Sequence, residues 1–512
     1  MKNIFLKPLL PLFFAFLLVL SCKQDKKDGY GATDEVETLL AFAPVHDILP
    51  TDVKPSCTID STSFGKWFTA GKVTKNGVVA PANSVTFGHQ NNCDFYTWSE
   101  QMFLWITSPK EDGNYKQGTI METPMFYTVS TLVDGKRTLI PHEAGKPLSA
   151  LANVQKTDTI IDTEEGQATD DVLMAKNGSL IYYISMVNDV YAQFLTGAKD
   201  GQLNGNEFPT SKSAMDSIVN YASSQGVQLS NPETLAMELK TSWVDASTIP
   251  NAQDYITIDA IIPVYDKVSD TLWRKKPDTT ATAKLALIGI HIVGSANGHP
   301  EMIWSTFEHK DNTPNLSYEY INVQDSVKTV AADTGNDWLL NSDSSNGTYN
   351  VSHMTFKDDN IIAKTGQTIS PSNTKRNLPW GVLPSGQPNP ENATAAASNA
   401  QVISINNSVL GQLADGDMRK NYIFIGSTWT NNGLAPTGTA YNAGNPKPGM
   451  SIGTSQLANS TMETYFQNDP QNSNGFNCFT CHSNPGNGTG LKPADLSHMY
   501  EAIQALNTNN MQ

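Results

Sequence analysis

Hydrophobic and polar positions along the chain predict a strand-rich protein with a few helices. The segment Cys93–Ile106 reads CDFYTWSEQMFLWI, with Phe95, Trp98, Met102 and Trp105 three and four apart, as on one helix face. That stripe is a core face, and Pro109 marks its end. From 115 to 325 strands dominate. LIYYISMV (180–187) is rich in β-formers. AMELKTSWV (236–244) alternates, with Met237, Leu239, Thr241 and Trp243 on one face and Glu238, Lys240 and Ser242 on the other. Tyr255–Val264 is another apolar run, and Leu285–Val293 and Met302–His309 flank GSANGHPE as a hairpin. Residues 210–222 are helical with Ser211 as cap, Gln401–Leu413 is a helix and Tyr422–Trp429 a strand. Residues 311–400, rich in Asn, Ser, Thr, Asp, Gly and Pro, predict long surface loops with short elements, and 431–449 a linker. Ser460-Thr461-Met462-Glu463 matches a capping box opening a helix through Gln467, and Pro493–Leu506 is the last helix. The fold class is α+β, strand-rich, compatible with a β-sandwich or a distorted barrel core.

The amino-terminal pattern differs in kind. Lys2 and Lys7 precede an apolar run, Leu9–Leu20, too short to span a bilayer comfortably. Val19-Leu20-Ser21-Cys22 then resembles a bacterial lipobox, in which Cys22 takes lipid and anchors the chain to a membrane. The next residue is Lys23 rather than Asp, which resembles lipoproteins sent to the outer membrane, facing the periplasm or the exterior. The expected organisation is a signal peptide (1–21), a tether (22–50), a large domain (51–445) and a C-terminal segment (446–512).

Charge and cysteines narrow the chemistry. The net charge of −16 becomes −18 once Lys2 and Lys7 are removed with residues 1–21, which argues against a nucleic-acid partner. Of five cysteines, Cys22 is assigned to lipid. Cys57 and Cys93, in an exported chain, are expected to form a disulfide.

Cys478-Phe479-Thr480-Cys481-His482 is C-x-x-C-H, the spacing that attaches a c-type haem. Two thiols on one turn reach the two vinyl groups, and the next imidazole becomes the iron ligand. A zinc site wants four ligands, and no second cysteine pair exists. A thioredoxin-like pair wants a strand before and a long helix after, where Asn474-Gly475 and Asn484-Pro485-Gly486 stand instead. The C-terminal segment is thus read as a short, mainly helical haem c segment. Only 30 residues follow His482, so it must pack on the large domain. Met462, Met499 and His498 are within reach as the second axial ligand, and each Met is equally at home in a core.

Several blocks together resemble a known family. LALIGIHIVGSANGHPEMIWSTFEHKDNTP (285–314), MELKTSW (237–243), NYIFIGSTW (421–429) and SQLANSTMETYFQ (455–467) with CFTCH resemble large, single-haem exported cytochrome c family proteins. The resemblance spans most of 90–500 in blocks. It implies haem binding and electron transfer, and makes Met462 the favoured second ligand.

Two further clusters carry less. His291, His299, Glu308 and His309 gather around the hairpin, but alternation puts Glu308 and His309 on opposite faces. Asp200–Ser211 has Gln202 at position 3 and Ser211 at position 12, which rejects an EF-hand. The sequence supports first an electron-transfer protein with an unnamed redox partner. The size of the large domain also admits an oxidoreductase acting on an organic substrate, or a surface binding module with a structural or sensing haem.

Overall fold

The computed structural model describes residues 48–150, 171–335, 337–341, 348–384, 386–468, 477–484 and 490–506. Cys22, the 1–21 segment and nearly all of the 22–50 tether lie outside the described residues. Among the described residues no helix is long and apolar enough to cross a membrane.

The protein is α+β and strand-rich. Its core is one connected sheet of twelve strands. Nine matter here: β1 (Phe126–Val129), β2 (Leu139–Pro141), β3 (Ile181–Asn188), β4 (Met237–Asp245), β5 (Thr257–Ser269), β6 (Leu272–Ala296), β7 (His299–His309), β8 (Tyr422–Thr430) and β9 (Ser451–Gly453). Their main spatial order is β9-β8-β7-β6-β4-β3-β1-β2, all antiparallel, with β5 pairing the first half of the long β6. The hairpin predicted around GSANGHPE is β6–β7. At its tip the register shifts between His299 and Ile303, and Met302 adopts φ 68°. Strand β9 extends the sheet, so the C-terminal stretch begins as part of it.

Helix α1 (Asn92–Ile106) covers one face. Asn91 and Asp94 form a capping box at its start, and it ends at Thr107, two residues before Pro109. Its aromatic stripe is core, as predicted: Phe95 stacks on Trp429 at 3.7 Å and Phe103 on Phe307 at 4.2 Å between ring centroids. Helices α2 (Asp189–Lys199) and α3 (Lys212–Ser224) pack together, and Ser211 caps α3 through the Ala214 amide. Helix α4 (Ala395–Gln412) begins six residues before the predicted Gln401, because Thr394 supplies the cap.

Three expectations are corrected. The 311–400 stretch is not only surface loop, for Trp338, Trp380 and Arg376 are buried. The box at Ser460–Glu463 opens no helix; Ser460 is spent on Glu308, and only a 3₁₀ turn, Tyr465–Asn468, follows. The last helix is a single turn, Pro493–Leu496. Beyond it Tyr500 and Ile503 are drawn into a cluster with Tyr191 and Phe208, and the chain runs beside Arg137, whose amide donates to Ala502 O at 2.8 Å. The C-terminal segment is therefore less helical than its sequence suggests.

The disulfide is present. Cys57 and Cys93 are bonded, with Cα atoms 5.4 Å apart. It ties the start of α1 to the loop that exchanges hydrogen bonds between Cys57 and Ser404 of α4.

Candidate functional site

Alternation along β3, β4, β6 and β7 gives the sheet a second face. Register places Ser185, Lys240, His291 and Thr306 in one cross-strand row. Val187, Glu238, Val293 and Trp304 form the next. Residues of both rows floor a cleft with about 950 Å³ of empty space, its open mouth included. Two C-terminal stretches complete the walls: the turn carrying Met462 and Glu463, and the stretch carrying Cys478, Cys481, His482, His498 and Met499.

The motif sits on one helical turn, Cys478–Cys481, capped by the Asn477 side chain on the Phe479 amide at 3.0 Å. Phe479 is buried against Trp304, the ring centroids 5.7 Å apart. Neither Cys478 nor Cys481 is in a disulfide. Burial pushes the Cys478 thiol well up, so it stays protonated.

His482 is held by its backbone-facing nitrogen. Nδ1 lies 2.9 Å from Leu496 O. A carbonyl only accepts, so Nδ1 carries the proton and Nε2 keeps its lone pair. Burial, then the neighbouring His498, holds the imidazole well below its usual range, in the neutral form that binds iron. A hydrogen bond on the non-ligating nitrogen is how metal-binding histidines are generally oriented. His498 stacks on His482 at 4.1 Å and donates from Nε2 to Cys481 O.

The Met462 turn is fastened to the sheet. Asn459 Nδ2 donates to Thr306 Oγ1 at 2.7 Å, and Asn459 Oδ1 accepts from the Thr461 amide at 2.8 Å. The Ser460 amide donates to Glu308 Oε1 at 2.8 Å, and Ser460 Oγ bonds Glu308 Oε2. Thr461 Oγ1 pairs with Ser242 Oγ at 2.6 Å, and the Tyr183 hydroxyl donates to Thr461 O at 2.9 Å. Met462 itself is 1% exposed. Gly289 makes this seating possible, for a Cβ there would lie 2.5 Å from Thr461 Oγ1 and 2.7 Å from Ser242 Oγ. Gly289→Ala should therefore cost about 1–3 kcal/mol by overpacking. Urea denaturation measures this, and an unchanged midpoint would contradict the close approach.

The two methionines occupy different walls. Met499 clusters with Phe479, Leu496 and Tyr500, around the anchor of His482. Met462 clusters with Tyr183, Ile288 and Leu339. His498, stacked on His482, belongs with Met499.

The hairpin histidines are not brought together. His291 lies in the cleft, its Nε2 3.0 Å from Glu463 Oε1, which with other contacts holds the Glu463 carboxyl below its usual range despite burial. His299 pairs with Glu301 at 2.8 Å near the hairpin tip. His309 stacks on Tyr255 at 3.7 Å inside the core. Glu308 is buried against Arg376 at 2.9 Å. Sequence reading missed Ser185, Lys240, Trp304 and Glu463 as parts of one site. Lys240 carried a signal: a cation in the middle of a strand otherwise built for burial.

Among the described residues, no three His, Cys, Asp or Glu side chains are grouped to hold a metal ion by themselves. The donors that do converge, two thiols and an imidazole on one turn facing a cleft, are those a covalently attached haem requires. What fold and site define together is a strand-rich α+β protein with a C-x-x-C-H turn closing a cleft on its sheet. No protein-family model, curated protein or solved structure matches the chain.

Proposed function

We propose that this protein is an electron-transfer protein of the cell envelope, lipid-anchored through Cys22, with one haem c in the cleft. Cys478 and Cys481 would carry the thioethers, and His482 Nε2 would be the proximal ligand. One observation carries the reading: both thiols and the neutral, carbonyl-anchored imidazole open from one capped turn onto the same cleft. Bound there, haem c would supply a one-electron ferric–ferrous couple. The residues around it hold and shield. Leu496 O orients His482, and Phe479 and Trp304, packed beside it, would shield it from water. A second side chain holding the iron would come from the wall of the cleft opposite His482. Met499 shares the wall of His482, so Met462 would fill that role; a thioether ligand would raise the potential and favour electron transfer.

The test is purification from a host that matures c-type cytochromes. One haem per chain is expected by pyridine haemochrome, surviving denaturing electrophoresis and lost in C478A/C481A. A protein with zinc and no haem would overturn the reading. Met462→Ala should convert a six-coordinate, low-spin spectrum to high-spin, whereas Met499→Ala should not; the reverse pattern would reassign the ligand.

A further inference from the structure

The polar row on the cleft floor holds more donors than the protein uses. His291 is satisfied by Glu463, whose other oxygen accepts the Asn459 amide at 2.9 Å. Lys240, beside it in the row, is half-buried; its charge helps hold the Glu463 carboxyl down, but no ion pair or hydrogen bond of its own side chain occurs among the described residues. Its neighbour on the other side, Ser185, is also half-buried, and its hydroxyl has no hydrogen-bond partner among them. More exposed lysines do find carboxylates, as in Lys212–Asp216 and Lys284–Asp259. An ammonium held in a cleft loses hydration and needs an anion in return.

Residues paired directly across antiparallel strands have Cβ atoms about 4.5–5.5 Å apart, so the two side-chain tips can converge on one group. Two donors and a single positive charge match a monoanion with two oxygens. A phosphate dianion would need more donors, and Glu463 and Glu238 in the same cleft would repel it about twice as strongly as a monoanion.

We propose that Ser185 and Lys240 form a carboxylate-binding pair on the cleft floor. Two sources offer that group. One is a haem propionate, which rests on the function proposed above: propionates lie on the edge of the macrocycle away from its thioethers. The other is a small free organic carboxylate, which a substrate-binding oxidoreductase would require.

The experiment uses the full chain, as purified, and Lys240→Met, Lys240→Gln and Ser185→Ala. Urea midpoint and haemochrome yield check that each variant is folded and loaded. Resonance Raman spectroscopy follows the propionate bending mode, and calorimetry follows acetate binding. A propionate mode that moves in Lys240→Met and Lys240→Gln supports the cofactor as source. Acetate binding weakened about ten-fold or more in those variants supports a free carboxylate, since a charge-assisted bond is worth that much. A propionate mode unmoved in every variant, with acetate binding absent or unchanged, would overturn the pair. Protein without haem would overturn the function proposed above, while acetate calorimetry would still decide this inference.

Discussion

Glu308→Ala is expected to destabilise the protein by about 3–5 kcal/mol, because it leaves a buried guanidinium without its anion. Arg376 donates to Glu308 Oε2 from Nε at 3.1 Å and from Nη2 at 2.9 Å, with both side chains essentially inaccessible. The same carboxylate receives the amide and hydroxyl of Ser460, so its loss also frees the turn that carries Met462. Urea denaturation should show a lower midpoint, and in haem-loaded protein a smaller low-spin fraction. Replacing both partners by apolar residues, Glu308→Leu with Arg376→Met, should cost less than Glu308→Ala alone, since no charge is then stranded. A single variant losing under about 1 kcal/mol would mean that the guanidinium finds water or another acceptor.

Removing the Cys57–Cys93 disulfide is expected to cost about 4 kcal/mol, from the loop-closure entropy of its 36-residue separation. Cys57→Ser with Cys93→Ser avoids leaving one reactive thiol. The paired hydrogen bonds between Cys57 and Ser404 remain in this variant, so the loop should stay native and unfolding should remain cooperative. The urea midpoint should fall. An unchanged midpoint would show that residues near 57 are already confined in the denatured chain.

Legibility in the sequence varied with the range of the forces involved. Helix α1, the β6–β7 hairpin, the Ser211 cap and the core strands were readable, because periodicity and capping act over a few residues. The Cys57–Cys93 pair was readable from cysteine usage alone. The Cys478–His482 turn was recognisable because its chemistry demands a fixed spacing. The cleft was not. Its floor joins Ser185, Lys240, His291 and Trp304 from four strands, and register alone decides that they share a face. The block MELKTSW stood out in the sequence without a role; in the fold it delivers Lys240 to the cleft, as METYFQ delivers Met462 and Glu463. The false helix at Ser460–Glu463 has the same cause. A capping box predicts a helix only if Ser460 has no better partner, and Glu308 lies 152 positions away in sequence.

The fastening of the Met462 turn has a consequence for how the molecule comes into being. Its partners, Tyr183, Ser242, Thr306 and Glu308, are all made long before it. In a chain delivered amino-terminus first, β3, β4, β6 and β7 can pair while the middle of their second face is still uncovered. Earlier residues such as Phe194 and Leu339 cover its flanks, but its middle gains a cover only when residues 459–463 arrive, and the residues around Cys478–His482 follow last of all. Contacts of such sequence separation form slowly, and a bare sheet face is prone to stray association. A chain cut short before residue 459 should therefore keep most of its strands and lack the part that closes the middle of that face.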